Sequence, residues 1–464
     1  MYVGHAAEMR RIAEYPMSQM PARRPRSVAL AIAIAAATGA CSVVGNPATS
    51  PAASPAAPTP GESGSAPPPA DAATTAADAW LVVGRRGEPG LRVVLASTTE
   101  ELIELPMGVP AERWSQVVTT TTEGDATRVD EVLVQPDLPA SRSRSVDGAW
   151  KLPSIGQDPL PGGVSVDGST IVLVDAAPDP DRTTTRFAIL ARDDPARVIE
   201  LPGSLEFDAL SPDGGILYVI EHLPAPPEAR YQVRAVDVST GLMRDTVIVD
   251  KRNVDASMGG YPITQETHEN GVVFTLYRGA GHSFIHALHS KEAWAVCLGL
   301  PTFGQDDAEA LLDWGIGQSG DGRRVFAANA TLGLAVEIHP VELSIRQETG
   351  FEAPRAAATI ELAKFGHQET GPTGRRVVVS PDGSTLYAAG AGGIVRLETG
   401  HLTAEGRLLE GTAVNGLALT LDGATLFALT HDGRILRLDT QTGMVVGQVP
   451  GEGYDKLVAI VPWS

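Results

Sequence analysis

A stretch that occurs twice near the C-terminal end limits what this chain can fold into more than any other feature. Arg376–Gly400 reads RVVVSPDGSTLYAAGAGGIVRLETG, and Gly416–Gly443 reads GLALTLDGATLFALTHDGRILRLDTQTG. Laid over each other, Asp382-Gly383 meets Asp422-Gly423 and Leu386-Tyr387 meets Leu426-Phe427. After a one-residue slip, Val395-Arg396-Leu397 meets Leu436-Arg437-Leu438. A spacing of about 40 residues, carried by short alternating apolar runs and Asp-Gly turns, belongs to a four-stranded sheet repeated around an axis, that is, a β-propeller blade.

The same phrase recurs in Gly163–Val172, Asp208–Tyr218 and Gly315–Phe326, and with Asn-Gly in Glu269–Phe274. Its aspartates have a conformational explanation. An Asp or Asn side chain closes the turn onto a nearby backbone N–H, and the glycine takes a positive φ that a Cβ resists. One carboxylate per blade leaves these groups too far apart to share a metal. Hairpins fall near Trp80, Trp114, Ile171, Leu217, Val273, Val325, Leu386 and Leu426, so the expected fold is an all-β propeller of seven or eight blades, eight by hairpin count. The run 456–462 reads as an inner strand with no hairpin after it, and the unit that opens at Trp80 lacks an inner strand. Pairing the two would close the ring and remove both sheet edges.

The propeller is expected over 79–464, and what precedes it has another character. Within 1–41, Arg23, Arg24 and Arg26 lead into the apolar run Val28–Ala37, which is too short to cross a bilayer core of about 30 Å as a helix. A basic region, a short apolar run and small residues are the parts of an export signal. Residues 42–78 consist almost wholly of Ala, Pro, Ser, Thr and Gly, a composition that cannot bury a core and forms an extended tether. The net charge of −20 works against binding to nucleic acid. With Cys41 and Cys297 as the only cysteines and Cys41 in the leader, no disulfide framework is expected.

The junction Thr38-Gly39-Ala40-Cys41 resembles the lipobox of bacterial lipoproteins. That resemblance implies diacylation of Cys41, an exported chain, and a lipid anchor on the outer side of the cell membrane. The phrase SPDG-x-x-LY, followed by a strand and D-x-x-TG, resembles the YVTN-type and WD40-like repeats of bacterial extracytoplasmic propellers. It implies the fold and leaves function open. Ala235–Gly241 resembles the first half of the docking motif of quinone-dependent dehydrogenases, but Asp245 stands where that family has Trp. The expected role is therefore a binding module for a protein or glycan on one face of the funnel, with no cofactor and no metal.

The alternative is a hydrolase. Lactonases built on propellers resemble this repeat pattern and draw acid-base groups from the funnel, which would make Glu266, His268, Arg278 and His282 the candidate residues. His282, His286 and His289 do not read as a metal site. On a strand His289 faces away from the other two, and these lie two strand periods apart, about 13 Å. The acidic segments Asp175–Asp181 and Gln305–Glu309 read as solvated loops.

Overall fold

The runs between the Asp-Gly turns form antiparallel hairpins throughout. The computed structural model describes residues 79–461 apart from 99, 112–113, 135–140, 157–159, 180, 224–229, 254–257, 280–281, 303–312 and 356–372. The expected export signal, Cys41, the tether and the acidic segment 305–309 lie outside the described residues.

Eight antiparallel sheets follow one another along the chain. Seven begin at an inner strand and proceed outward, with inner strands at Val109–Ala111, Leu205–Leu210, Tyr261–Thr267, Gly315–Gln318, Val377–Val379 and Val414–Leu419 for blades 2, 4, 5, 6, 7 and 8. Blade 3 has its inner position in two pieces: Trp150–Lys151 pairs with one end of Thr170–Asp175, and Val164 bridges Ile171 at the other. Blade 1 combines Trp80–Arg85, Leu91–Leu95 and Glu101–Leu105 with the inner strand Tyr454–Val461. The register there sets Trp80 opposite Val461 and Leu81 opposite Ile460.

Burial follows from the pleat. Successive residues of a strand point to opposite faces, and in a ring both faces meet a neighbouring blade, so Thr425–Thr430 is buried at every position. Eight hydrophobic clusters result, one between each pair of adjacent blades. Leu81, Val83, Phe427 and Leu429 join blades 8 and 1, and Val82, Leu91, Val117 and Val461 join blades 1 and 2. Each fully buried Val or Leu contributes about 1.5–3 kcal/mol relative to exposure. The architecture is an eight-bladed, all-β propeller.

The turns are more elaborate than the Asp-Gly pair suggests. A Ser or Thr two residues before the Asp donates its hydroxyl to Oδ1 at 2.5–2.7 Å, in Ser165, Ser211, Ser319, Ser380 and Thr420. The same hydroxyl accepts the N–H of the residue that opens the next strand, as Ser380 Oγ does from Thr385 at 2.9 Å. Asp382 then takes the Ser384 N–H at 3.0 Å, and Gly383 sits at φ 72°. The Ser380 hydroxyl, followed by the Ser384 N–H, holds the Asp382 carboxyl below its ordinary range.

A second recurring turn joins the third strand to the outer one. In blades 4, 5, 6 and 8 its fifth residue donates its N–H to the carbonyl of the first: Gly241 to Asp237, Ala293 to His289, Leu343 to His339 and Gly443 to Asp439. That residue is left-handed in each case, at φ 72°, 56°, 49° and 70°, so Ala293 and Leu343 occupy a conformation that suits glycine.

Candidate functional site

Eight blades around an axis leave a central channel of about 670 Å³, lined, among the described residues, by every blade but the fourth. Two excursions narrow it. Between the two inner pieces of blade 3 the chain leaves the sheet at Leu152 and returns at Gly162, and Ser154 bridges Pro161 across its base. This excursion reaches over blade 4 to blade 5. A Cβ on Gly156, at φ 53°, would come within 2.5 Å of the Pro262 carbonyl oxygen, so only glycine allows the approach. Ile155 packs with Phe207 and Leu205 of blade 4, which explains why that blade does not reach the channel.

The second excursion is Thr373–Arg376, just before the inner strand of blade 7. Thr373 and Gly374 pair in parallel with Lys456 and Leu457 on the free edge of blade 1. The Arg375 carbonyl accepts the Leu417 N–H of blade 8 at 2.7 Å. Arg376, buried, reaches back to Asp313 at 3.5 Å ahead of blade 6. Four residues thus tie four blades together across one side of the channel. Gly374 and Gly416 pass so closely that a Cβ on either would come within 2.8 Å of the other's Cα.

Among the described residues that line the channel, the ionisable ones are Glu266, Arg375 and Arg376. Glu266 Oε1 lies 3.2 Å from Arg375 Nη2, a pair that spans blade 6 to join blades 5 and 7. The partners differ in exposure: the Glu266 side chain is 10% exposed and that of Arg375 53%. Burial pushes the Glu266 carboxyl up, and the Arg375 charge opposes that shift. The polar neighbours are largely engaged in the wall itself. Gln265 Nε2 donates to the Asp208 carbonyl and to Thr275 Oγ1, and Gln318 Nε2 to the Thr267 carbonyl.

The four residues singled out from the sequence are not brought together. Glu266 lines the channel. His268 occupies the place that Ser211, Ser319 and Ser380 hold in other turns. Its Nδ1 accepts the Asn270 N–H at 3.2 Å, and Nε2 contacts the Gly322 carbonyl of the next blade. It is a turn residue. Arg278 pairs in register with Tyr261 and Ser283, four residues along its strand from the partner of Glu266, about 13 Å away. His282 sits one strand further out, stacked on Phe284 at 5.8 Å. The acid-base set expected for a hydrolase therefore does not converge at the channel. Sequence reasoning missed Arg375, whose only signal is the doublet Arg375-Arg376 immediately before an inner strand.

The other two histidines lie apart as well. His286 is wholly buried between blades 4 and 5, beside Tyr277 and with Cys297 Sγ 3.9 Å from Nδ1. Burial pushes its imidazole down to about 4 and the Cys297 thiol up to about 12, so both stay neutral near pH 7. His289 stacks on Trp294 at 5.1 Å. No group of three His, Cys, Asp or Glu side chains among the described residues is placed to hold a metal ion.

No family model and no curated protein matches the sequence. Solved structures do match. Apo AztD from Citrobacter koseri aligns at a TM-score of 0.48 and 12% identity, over 82% of this chain and 98% of that one. A second structure of Citrobacter koseri AztD aligns at 0.47 and 12%, over 82% and 97%. The dihydro-heme d1 dehydrogenase NirN in complex with DHE aligns at 0.48 and 13%, over 81% and 74%. At this identity such likenesses concern the course of the backbone alone, and the chain is, by its own strand topology, an eight-bladed β-propeller.

Proposed function

We propose that this chain is an exported, lipid-anchored β-propeller that serves as a binding module and takes its ligand at the central channel. The observation that carries the reading is the channel itself: about 670 Å³, lined by polar and apolar surface in near-equal measure, with one half-exposed guanidinium held by a buried carboxylate. A concave site that joins apolar walls to a few placed polar groups is the usual form of a ligand site. The anchor rests on the basic and apolar leader, the lipobox-like junction at Cys41 and the Pro/Ala/Ser-rich tether.

Two experiments test the two halves. Binding should be sought across a panel of glycans and peptides, with a Thr267→Trp variant that crowds the channel wall. A ligand bound equally by both forms refutes the channel as the site, and turnover of a lactone panel lost in Glu266→Gln would support the hydrolase reading. For the anchor, Cys41→Ser should move the protein from the detergent phase to the aqueous phase, because two acyl chains hold a protein at a membrane where one scarcely does. Unchanged partitioning of the variant refutes the anchor.

A further inference from the structure

Glu266 and Arg375, the charges that pair on the channel wall, are unequal partners, and that inequality defines a ligand. Glu266 is committed: its carboxylate is buried in the wall of blade 5 and faces Arg375. Arg376 is committed too, buried against Asp313. Arg375 is different. A guanidinium carries five N–H donors in one plane, and one carboxylate oxygen at 3.2 Å engages a single edge of it. Over half of this side chain remains exposed, on the lining of the channel. The same lining carries apolar side chains, among them Val378, Val379, Leu417, Leu419, Ala459 and Ile460, beside the polar Gln265, Thr267 and Gln318.

We propose that the channel binds a monocarboxylate with an apolar body, the carboxylate seated on the open edge of Arg375 and the body against the apolar wall. This rests on the channel being the ligand site. Three features select this chemistry. The planar fork of a guanidinium matches a carboxylate with two parallel N–H···O bonds. A dianion such as a phosphate monoester is disfavoured by the Glu266 carboxylate alongside and by a chain of net charge −20. A small hydrophilic anion leaves the apolar lining uncovered, whereas an apolar body removes that surface from water. Glu266 acts here as a positioning residue: it fixes one edge of Arg375 so that the other faces the channel.

Such a carboxylate has two sources, a free acyl chain or the C-terminus of a peptide ending in an apolar residue. Calorimetric titration of the full chain should therefore use octanoate and octanamide, and a leucine-terminated tripeptide with a free or an amidated C-terminus. Binding of octanoate alone assigns a free acid, and binding of the free tripeptide alone assigns a peptide end. The bound carboxylate should exceed its amide by at least about 10-fold, the scale of one charge-assisted hydrogen-bonded contact. Arg375→Gln should weaken it by about 10–100-fold, with Arg375→Lys between the two because an ammonium keeps the charge and loses the fork. Equal affinity for acid and amide, or an unchanged affinity in Arg375→Gln, overturns the proposal, and the acid–amide comparison stands even where the variant does not fold. Failure of all four probes also overturns it. A different ligand that Thr267→Trp excludes would leave the channel reading intact, while binding that Thr267→Trp does not alter would remove that reading itself.

Discussion

Replacing Asp208 by asparagine should stabilise the propeller by an amount that grows with pH. Asp208 is the extra residue of a bulge in the inner strand of blade 4, between Phe207 and Ala209, and only 4% of it is exposed. Burial alone pushes its carboxyl up to about 7. The same acid in the unfolded chain ionises near pH 3.9, so the folded state binds this proton more tightly. The resulting stabilisation is therefore full below about pH 3.9, is lost progressively as pH rises, and is gone above about pH 7. A gap of about 3 units corresponds to about 4 kcal/mol. Asparagine cannot ionise and keeps the site in the counterpart of its protonated form, so Asp208→Asn should match wild type near pH 4 and exceed it by about 4 kcal/mol near pH 8. At about 2.1 cal/mol/K per residue over roughly 400 residues, this amounts to a Tm gap of about 5 °C. Differential scanning calorimetry of both proteins at several pH values reads it directly. A Tm difference that does not change between about pH 4 and 8 would refute the reasoning, because the carboxyl would then not titrate in that window.

Two further outcomes follow from features of single blades. Ala293→Gly should raise stability by about 0.5–1 kcal/mol, since relief of the left-handed backbone at φ 56° outweighs the extra unfolded-state freedom of glycine; a lower denaturation midpoint for the variant would count against that account of the turn. Glu337→Ala should cost about 3–5 kcal/mol, because it strands the Arg324 guanidinium that Glu337 holds through two contacts of 2.9 Å and that also donates to Thr399 of blade 7; a loss below about 1 kcal/mol in urea unfolding would show that solvent replaces the buried carboxylate.

The architecture was legible because its signals are local. Asp-Gly turns, alternation and a fixed period are properties of neighbouring residues, and they placed all eight hairpins, including those at Trp80 and Trp114 that carry no Asp-Gly turn. The site was less legible because its parts are distant in the chain. Glu266 could be singled out as an acid in an inner strand, but Arg375 reaches it only through the path of Thr373–Arg376 across blade 8, which no periodicity announces. His268 misled for a related reason. A histidine beside an acid suggests chemistry, yet here the imidazole accepts a turn N–H at the position from which Ser211 and Ser380 donate a hydroxyl, and only the register of the turn reveals that the positions correspond. Blade 3 shows the opposite case. Its Asp-Gly turn was recognised, while the Leu152–Gly162 detour that interrupts its inner strand leaves a sequence of prolines and glycines indistinguishable from an ordinary loop.

Blade 1 also imposes an order of events during synthesis. Trp80–Arg85 leaves the ribosome before any other described strand, and its inner partner Tyr454–Val461 leaves after all of them. At about 5–20 residues per second, roughly 370 intervening residues take on the order of half a minute, during which that strand presents an unsatisfied row of backbone donors and acceptors. The entropy of closing so long a loop is modest, since each doubling of length adds only about 0.6 kcal/mol, so the hazard lies in waiting and not in closure. Until that inner strand arrives, the edge of Trp80–Arg85 offers a template to any neighbouring strand.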